Sequence, residues 1–321
     1  MQIADSRLLL VGGAGLIGSH LTDLLVGTDV GEIVVFDDFS RGTKSNLDDA
    51  LADPRVRVIE GDIRDRSALD AAMEGVDGVF LLSALWLLQC AENPRAGTDI
   101  NVVGNLNVLD AARAAGVRRI VFSSSASVYG DALTHPMSED HPFNNRTFYG
   151  ATKIMLEQAL RAYAQMYGTD YVALRYFNVY GPRQDYKNAY VSVIMKALDR
   201  LDAGLPPVVF GDGSQSYDFV YVKDIARANL AAMRAEVTDQ AFNVCTGVAT
   251  SIRAVVSMLG GIHGTAIEPE YRPAAQVFVT DRVGDPSRAQ QLLGFAAGTP
   301  LAAGLAELVG WRADRIRAES A

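Results

Sequence analysis

The chain has 321 residues, 49% of them hydrophobic, and is therefore long enough to bury a large core in two lobes. A net charge of −9 without a basic cluster argues against nucleic-acid binding, and no apolar run approaches the roughly 20 residues that a membrane span needs. Cys90 and Cys245 lack the spacing of a zinc site or a disulfide framework, so we expect a globular cytoplasmic protein without a metal.

Short apolar runs alternate with longer periodic segments through the first half of the chain, which is typical of a parallel sheet with helical crossovers. The predicted strands are Arg7–Val11, Glu32–Phe36, Val56–Glu60, Gly78–Leu82, Arg119–Ser123 and Tyr171–Tyr176. The predicted helices are Leu16–Val26, Ser67–Met73, Asn101–Ala115 and Tyr149–Tyr167. This order predicts an α/β fold with a doubly wound parallel sheet, that is, a Rossmann fold.

After NVYGPRQ, residues 178–184, the pattern loosens, because prolines such as Pro206, Pro207 and Pro269 divide the chain into short elements. We therefore predict a Rossmann domain over residues 1–176. Residues 177–321 are predicted to form, for the most part, a smaller α/β substrate-binding lobe. The segment around residues 218–245 is expected to return to the Rossmann domain.

Three glycines follow the first predicted strand in VGGAGLIGSH, where Gly12, Gly15 and Gly18 have GxxGxxG spacing and a helix begins at Leu16. Such a loop turns sharply, lets the backbone approach a pyrophosphate and directs helical N–H groups at the anion. A plain tight turn is the alternative. The strand before the loop and the helix after it favour dinucleotide binding.

An acidic residue, Asp37, follows the second strand about twenty residues beyond the glycine loop. A carboxylate there can accept hydrogen bonds from the adenosine ribose hydroxyls, which favours NAD over NADP. Two alternatives are a strand-end carboxylate that faces water and a 2′-phosphate held by the nearby Arg41. Asp62, after the third strand, is placed either at the adenine edge or in a turn.

A serine, a tyrosine and a lysine lie at the carboxyl ends of neighbouring strands, where open α/β sheets bind ligands. Tyr149 and Lys153 share one helix face, and Ser125 follows the fifth strand. Positive charge from Lys153 and an oxidised nicotinamide would lower the pKa of the Tyr149 phenol from its usual value of about 10. The phenol can then take a proton from a sugar hydroxyl as hydride leaves the same carbon, with Ser125 hydrogen-bonded to the alkoxide. An isolated pair would more simply be a half-buried tyrosine and a solvated lysine.

Eight segments carry a family resemblance: GGAGLIGSH, FDDFS, EGDIRD, NVVGNLNVLDAA, SSSASVYG, YGATK, RYFNVYGPRQ and YDFVYVKDIARA. Together they resemble the extended short-chain dehydrogenase/reductases, specifically the NAD-dependent nucleotide-sugar epimerase/dehydratase group, and are most similar to UDP-glucose 4-epimerase-like enzymes. The resemblance covers almost the whole chain. It implies NAD as cofactor, a nucleotide-sugar substrate, most simply a UDP-sugar, and a homodimer joined by the helices Asn101–Ala115 and Thr147–Tyr167.

The resemblance also implies roles for individual residues. Ser125, Tyr149 and Lys153 match the catalytic set of the family. Asn101 matches an asparagine that supports the site, and Phe177 matches a residue beside the nicotinamide. The implied cofactor-binding residues are Gly12, Gly15, Leu16, Ile17, Gly18, Asp37, Asp38, Ser40, Asp62, Ile63, Leu82, Ser83, Ala84, Asn101, Ser123, Tyr149, Lys153, Tyr176 and Phe177. The implied substrate-binding residues are Ser125, Asn178 at the phosphate, Phe210 at the base, Tyr217 and Arg272.

The reactions of the family can be separated by a few positions. The 4,6-dehydratases carry an Asp-Glu pair where this chain has Ala126-Ser127, and elimination of water needs that acid and base. The UDP-glucuronate decarboxylases carry an arginine where Ile154 follows Lys153. These differences favour 4-epimerisation through a 4-keto sugar. A net oxidoreductase on a keto-sugar or other carbonyl, a dehydratase or decarboxylase, and a non-catalytic NAD-binding regulator are the alternatives.

Two segments depart from the family pattern. LLSALWLLQC replaces a polar stretch after the fourth strand and predicts a more apolar pocket wall. Tyr217 stands where many relatives carry a diphosphate-binding arginine, and a neutral phenol cannot supply that charge. Arg272, Arg282 or Arg183 must then bind more of the phosphate, or the substrate differs.

Overall fold

The computed structural model describes residues 1–185, 192–265, 268–273 and 281–320. The strands in these ranges are β1 (Arg7–Val11), β2 (Glu32–Asp37), β3 (Val56–Glu60), β4 (Gly78–Leu81), β5 (Arg119–Ser125), β6 (Asp170–Tyr176), β7 (Asn178–Tyr180), β8 (Val208–Phe210), β9 (Ser216–Tyr217), β10 (Phe219–Tyr221), β11 (Gln240–Val244), β12 (Thr250–Ser251), β13 (Glu270–Arg272) and β14 (Asp281–Arg282).

The α-helices are α1 (Leu16–Val26), α2 (Arg66–Met73), α3 (Leu87–Glu92), α4 (Pro94–Thr98), α5 (Asn105–Ala114), α6 (Phe148–Tyr167), α7 (Val193–Asp202), α8 (Val222–Arg234), α9 (Ile252–His263), α10 (Ser287–Leu293) and α11 (Leu301–Ser320). Short 3-10 turns occur at Lys44–Leu47, Ala50–Ala52 and Ala126–Val128. Within the described ranges, every helix is too short or too polar to cross a bilayer.

Seven parallel strands form the main sheet in the order β11–β6–β5–β4–β1–β2–β3. The chain runs outward from β1 to β3 and then crosses to β4 on the other side of β1. The strand order therefore reverses between β1 and β4, and open α/β sheets bind ligands outside the carboxyl ends of the strands at such a reversal. The predicted doubly wound α/β fold is confirmed.

Helices cover both faces of this sheet. On one face, Leu21 of α1 and Ile225 of α8 belong to the same buried cluster as Leu8 of β1. On the other face, Leu156 of α6 belongs to the cluster that contains Leu9 of β1. Neighbouring residues of β1 thus face opposite layers, as the alternation of side chains along a strand requires. The site lies at the edge of the sheet that these layers leave open.

The helix predicted over Asn101–Ala115 begins differently in the structure. A π-helical turn, Asp99–Gly104, precedes α5. Asn105 Nδ2 donates to the carbonyl oxygens of Ile100 at 3.3 Å and Asn101 at 3.0 Å, so it satisfies backbone acceptors in the widened turn. Single π turns occur frequently at functional sites. Here the turn carries the fully buried side chain of Asn101.

The second lobe is built from the chain beyond β6. Leu198 of α7, Leu259 of α9 and Leu305 of α11 form its buried core. Three small sheets, β10–β7, β12–β9–β14 and β13–β8, join distant segments of this part of the chain. Between them the chain runs back to the main sheet, where α8 packs against α1 and β11 pairs with β6.

Candidate active site

The glycine loop between β1 and α1 has the shape that a diphosphate needs. Gly12 has a φ of +83°, and a Cβ there would lie 2.7 Å from the backbone nitrogen of Ser83, so only glycine fits. A Cβ on Gly18 would lie 2.5 Å from the Cα of Gly13. The space beside Gly15 is open by contrast, since an added Cβ would meet only the Gly12 carbonyl oxygen at 3.5 Å.

The first turn of α1 is free of competing acceptors from its own residues. The N-cap residue, Gly15, has no side chain to accept hydrogen bonds from the first-turn N–H groups, and that turn contains no acidic residue. Uncapped N–H groups at a helix N-terminus form an anion-binding site. The loop and the helix therefore fit the pyrophosphate of a dinucleotide.

A cavity of about 420 Å³ runs along the carboxyl ends of the strands. Most of the residues predicted to bind the cofactor line it: Gly12, Gly15, Leu16, Ile17, Gly18, Asp37, Asp38, Ser40, Asp62, Ile63, Leu82, Ser83, Ala84, Tyr149, Tyr176 and Phe177, together with the predicted catalytic residue Ser125. Asn101, Ser123 and Lys153 lie outside this lining. They support the lining residues through the contacts described below.

Asp37 is buried at the end of β2 and holds the glycine loop. Its Oδ2 accepts a hydrogen bond from the N–H of Ala14 at 2.9 Å, and its Oδ1 accepts one from the N–H of Phe39 at 2.9 Å. Burial raises the pKa of this carboxyl, and the two N–H groups oppose that rise. Each carboxylate oxygen can accept a further hydrogen bond. Asp37 can therefore accept hydrogen bonds from ribose hydroxyls while it holds the glycine loop in position.

The catalytic candidates meet where β5 faces α6. Thr147 caps α6 by accepting a hydrogen bond from the N–H of Gly150 at 3.0 Å, which places Tyr149 in the first turn. Tyr149 and Ser125 both line the cavity, and Ser125 acts to lower the pKa of the Tyr149 phenol. One helical turn further on, Lys153 donates from Nζ to the Ser123 carbonyl oxygen at 2.7 Å. The structure thus brings together the three residues that the sequence predicts.

The ionisation of this group differs from the expectation. Burial raises the pKa of Tyr149 to about 12, although the Ser125 hydroxyl and the charge of Arg41 oppose that rise. Burial also lowers the pKa of Lys153, which is 2% exposed, to about 8. The lowered pKa predicted for Tyr149 depends on an oxidised nicotinamide as well as on Lys153, and the protein alone does not produce it. The desolvation of the phenol outweighs the positive charges that the chain itself provides.

Asn101 fixes the loop after β4. Its Oδ1 accepts from the N–H of Leu85 at 2.7 Å, and its Nδ2 donates to the Leu85 carbonyl oxygen at 2.8 Å. The same Nδ2 lies 3.2 Å from Oγ1 of Thr152, the residue before Lys153. Leu85 and Trp86 both line the cavity, so the apolar wall predicted from this segment faces the site. Asn101 joins that wall to the helix that carries the catalytic pair.

Four residues predicted to bind substrate lie outside the cavity lining. Asn178 donates from its backbone N–H to the Asp218 carbonyl oxygen at 2.9 Å, and Phe210 is 46% exposed at the end of β8. Tyr217 is half-buried on β9, with its ring 6.2 Å from that of Phe219. The fourth is Arg272, and all four residues belong to the second lobe.

The arginines of the second lobe have different surroundings. Arg272 is exposed and pairs with Glu270, from Nε to Oε1 at 2.8 Å. Arg282 pairs in register with Tyr217 across β14 and β9, and burial lowers the pKa of its guanidinium to about 10. Its Nε has no hydrogen-bond partner among the described residues. Arg282 therefore places a cation beside the Tyr217 phenol.

The glycine loop, Asp37 and the Ser125–Tyr149–Lys153 set together define the class of the extended short-chain dehydrogenase/reductases. The model of the NAD dependent epimerase/dehydratase family matches residues 8–245. The chain belongs to this family, so the family recognised from the sequence is confirmed. The predicted NAD cofactor is confirmed as well, because the family is NAD-dependent and the loop and cavity fit a dinucleotide.

Several relatives resemble the chain over nearly its whole length. UDP-glucose 4-epimerase from Mycolicibacterium smegmatis is 36% identical over 311 residues, which are 94% of this chain and 97% of the relative. The structure of UDP-N-acetylglucosamine 4-epimerase from Methanobrevibacter ruminantium M1, in complex with UDP-N-acetylmuramic acid, has a TM-score of 0.92 and 30% identity over 97% of this chain and 99% of that one. UDP-glucose 4-epimerase from Thermotoga maritima, with UDP-glucose, has a TM-score of 0.90 and 31% identity over the same shares.

Proposed function

We propose that this protein is a NAD-dependent nucleotide-sugar 4-epimerase that acts on a UDP-sugar. The observation that carries the proposal is the placement of Ser125 and Tyr149 in the wall of the cavity that begins at the glycine loop, with Lys153 directly behind them. A phenol, a hydroxyl and an ammonium at this point are the groups that oxidation of an alcohol requires. The relatives named above are 4-epimerases of UDP-sugars.

NAD, held by the glycine loop and Asp37, would supply the acceptor and donor of the C4 hydride and, in its oxidised form, a positive charge beside the phenol. Tyr149 accepts the proton of the C4 hydroxyl and later donates it back. Since burial alone raises the pKa of Tyr149 to about 12, the phenol needs positive charge beside it before it can act as the base. Lys153 supplies part of that charge, and Ser125 donates a hydrogen bond to the developing alkoxide.

The second lobe, residues 177–321, anchors the nucleotide in this proposal. Asn178 binds the phosphate, Phe210 stacks on the base, and Arg282 in place of Arg272 supplies the cation beside Tyr217. The buried Arg282 Nε, without a hydrogen-bond partner among the described residues, supports this choice. The 4-keto sugar must turn before it is reduced from its other face, and the apolar wall offers it few hydrogen bonds.

Other reactions of the family fit the site less well. Ala126 and Ser127 occupy the positions of the dehydratase acid and base, and Ala126 is almost fully buried without an ionisable group. A net oxidoreductase would use the same three catalytic residues. A net oxidoreductase changes the redox state of one nicotinamide in each turnover, whereas an epimerase regenerates it. Measurement of nicotinamide absorbance during turnover therefore separates the two activities.

The test is to incubate the purified protein with a panel of UDP-, dTDP-, GDP- and CDP-sugars and to resolve the products by chromatography. We expect interconversion of two C4 epimers of a UDP-sugar, with NAD retained on the protein and no NADH released. A stoichiometric change in nicotinamide absorbance with each turnover would instead indicate a net oxidoreductase.

We further propose that the protein is a cytoplasmic homodimer. Apolar side chains are exposed on the outer faces of the two helical segments expected to join the subunits: Val103, Met155, Met166 and Tyr167. Burial of these side chains between two copies would remove them from water. Light scattering should give twice the mass of the 34.5 kDa chain at micromolar concentration, and a monomer would contradict the proposal.

A further inference from the structure

Arg41, on the connection after β2, contacts two other cavity-lining residues on separate connections, Trp86 after β4 and Asp185 after β7. The Cζ atom of Arg41 lies 4.5 Å from the centroid of the Trp86 ring, which is a cation–π geometry. A guanidinium nitrogen of Arg41 lies 3.6 Å from Oδ2 of Asp185. We call these three residues the Arg41 bridge.

The bridge starts beside the glycine loop. Asn46 Nδ2 donates to the Ala14 carbonyl oxygen at 2.9 Å, and a Cβ on Gly42 would lie 2.7 Å from the Ala14 carbonyl carbon. The segment after β2 is therefore packed directly on the loop that fits the diphosphate. Arg41, one residue before Gly42, reaches from this side of the cavity to the Trp86 wall on the other.

The far end of the bridge is close to the catalytic group. Trp86 follows Leu85, whose backbone is held by Asn101, and Asn101 also contacts the helix that carries Tyr149. The positive charge of Arg41 is near enough to oppose the burial-driven rise in the pKa of Tyr149. The bridge thus joins the side of the cavity beside the glycine loop to the wall that Asn101 ties to the catalytic helix.

We propose that the Arg41 bridge closes this cavity over the bound NAD and slows its release. Trp86 and Asp185 hold the guanidinium in place across the opening, so the dinucleotide can leave only after the stacked contact and the ion pair break. The proposal concerns retention of the cofactor that the family uses. It does not depend on which sugar is the substrate or on whether the reaction is epimerisation.

Two simpler roles of Arg41 make different predictions. If Arg41 only supplied positive charge to a cofactor phosphate, lysine would replace it. A lysine ammonium lacks the planar fork of a guanidinium, so it cannot stack on Trp86 and pair with Asp185 in the same way. If Arg41 only influenced Tyr149, its loss would change turnover without changing the rate of cofactor release.

The experiment measures release directly. Purified Arg41→Ala, Arg41→Lys, Trp86→Ala and Trp86→Phe variants are loaded with NADH and mixed with excess NAD, and loss of the directly excited nicotinamide fluorescence is followed. The NAD content after gel filtration is determined by chromatography of the denatured protein. Arg66→Ala is the matched control, because Arg66 also pairs with an aspartate, Asp70 at 2.7 Å, but on the exposed surface of α2. Circular dichroism and thermal melting verify that each variant is folded.

We expect Arg41→Ala and Arg41→Lys to release NADH at least tenfold faster than the wild type, and Arg66→Ala to release it at the wild-type rate. Trp86→Ala should resemble Arg41→Ala, whereas Trp86→Phe, which keeps an aromatic face, should be intermediate. Wild-type release from Arg41→Ala would overturn the proposal. So would wild-type release from Arg41→Lys, since charge alone would then account for the role of Arg41.

Discussion

The ammonium of Lys153 donates to the backbone carbonyl oxygen of Ser123 at 2.7 Å, which ties α6 to the end of β5. A second contact joins the same two elements, because Glu157 accepts a hydrogen bond from Ser124 Oγ. Because positions four residues apart share one helix face, a single face of α6 holds two consecutive residues of β5.

Replacement of Tyr149 by phenylalanine removes only the phenolic oxygen. We expect Tyr149→Phe to reduce kcat on the substrate that the panel identifies by roughly a hundredfold or more, with KM nearly unchanged. Tyr171→Phe is the matched control, since the Tyr171 hydroxyl donates to Asp239 at 2.7 Å away from the cavity lining. Near-normal turnover of Tyr149→Phe would contradict the mechanism. Incorporation of solvent deuterium at C4 would contradict it too, because the returned hydride does not exchange with water.

The charge of Lys153 gives the reaction a dependence on pH. Burial lowers the pKa of Lys153 to about 8, so its ammonium is present below that pH and is lost as the pH rises through it. We expect kcat to fall above about pH 8 in the wild type. In Lys153→Arg the guanidinium stays charged, so whatever activity remains should not show this fall. The measurement is kcat between pH 6 and pH 10, and identical high-pH limbs for the two proteins would contradict the prediction.

The buried ion pair next to the site is expected to affect the free energy of unfolding more than an exposed ion pair does. Glu157 and Arg175 are each 6% exposed, and their closest charged atoms lie 2.6 Å apart. Glu157→Gln removes one charge and leaves the other buried, so it should lower the free energy of unfolding by about 3–5 kcal/mol. Asp70→Asn, which breaks the exposed pair with Arg66, should cost less than about 1 kcal/mol. Urea unfolding of both variants provides the measurement, and equal losses would refute this ranking.

Asp37 should determine the choice of cofactor. It accepts hydrogen bonds from the N–H groups of Ala14 and Phe39 and lines the cavity. Asp37→Ala therefore removes the hydrogen-bond acceptor for the ribose hydroxyls and also a contact that holds the glycine loop. We expect calorimetry to show weaker NAD binding by this variant and a preference of the wild type for NAD over NADP. Equal or tighter binding of NADP by the wild type would mean that Arg41 binds a 2′-phosphate.

Gly15 allows the diphosphate site to be tested without damage to the fold. A Cβ at this position meets only the Gly12 carbonyl oxygen at 3.5 Å, whereas a Cβ on Gly18 would collide with backbone. We therefore expect Gly15→Ala to melt near the wild-type temperature but to bind NAD at least tenfold more weakly. Gly18→Ala should be strongly destabilised. Unchanged NAD affinity in Gly15→Ala would show that the diphosphate lies elsewhere.

The first half of the fold was predictable because its signals are local. Parallel strands buried on both faces are short apolar runs, and those predicted here end within two residues of their observed limits. The catalytic group was predictable for a related reason. Ser125 and Tyr149 follow the carboxyl ends of strands whose order the crossovers determine, and Lys153 lies one helical turn beyond Tyr149.

The second lobe and the Arg41 bridge depend on long-range contacts that no local pattern reports. Arg282 stands beside Tyr217 only because β9 pairs with β14, some sixty residues later in the chain. Arg272 offers the same charge in the sequence but faces Glu270. The contact of Arg41 with Trp86 likewise joins two loops whose side chains must reach across a cavity. The sequence shows that these residues are arginines, but it does not show which neighbour each guanidinium contacts.

The seventh strand of the main sheet, β11, pairs with β6 only after the chain has passed through the first part of the second lobe. In addition, Asn229 of α8 accepts a hydrogen bond from the Tyr176 hydroxyl, which also lies 3.0 Å from Ser123 Oγ. A fragment that stopped at residue 176 would leave β6 as an unpaired edge strand. It would also lose the hydrogen bond from Tyr176 to Asn229, which supports Ser123 next to the catalytic lysine. We therefore expect the two lobes to unfold as one cooperative unit, because the catalytic group depends on contacts from both.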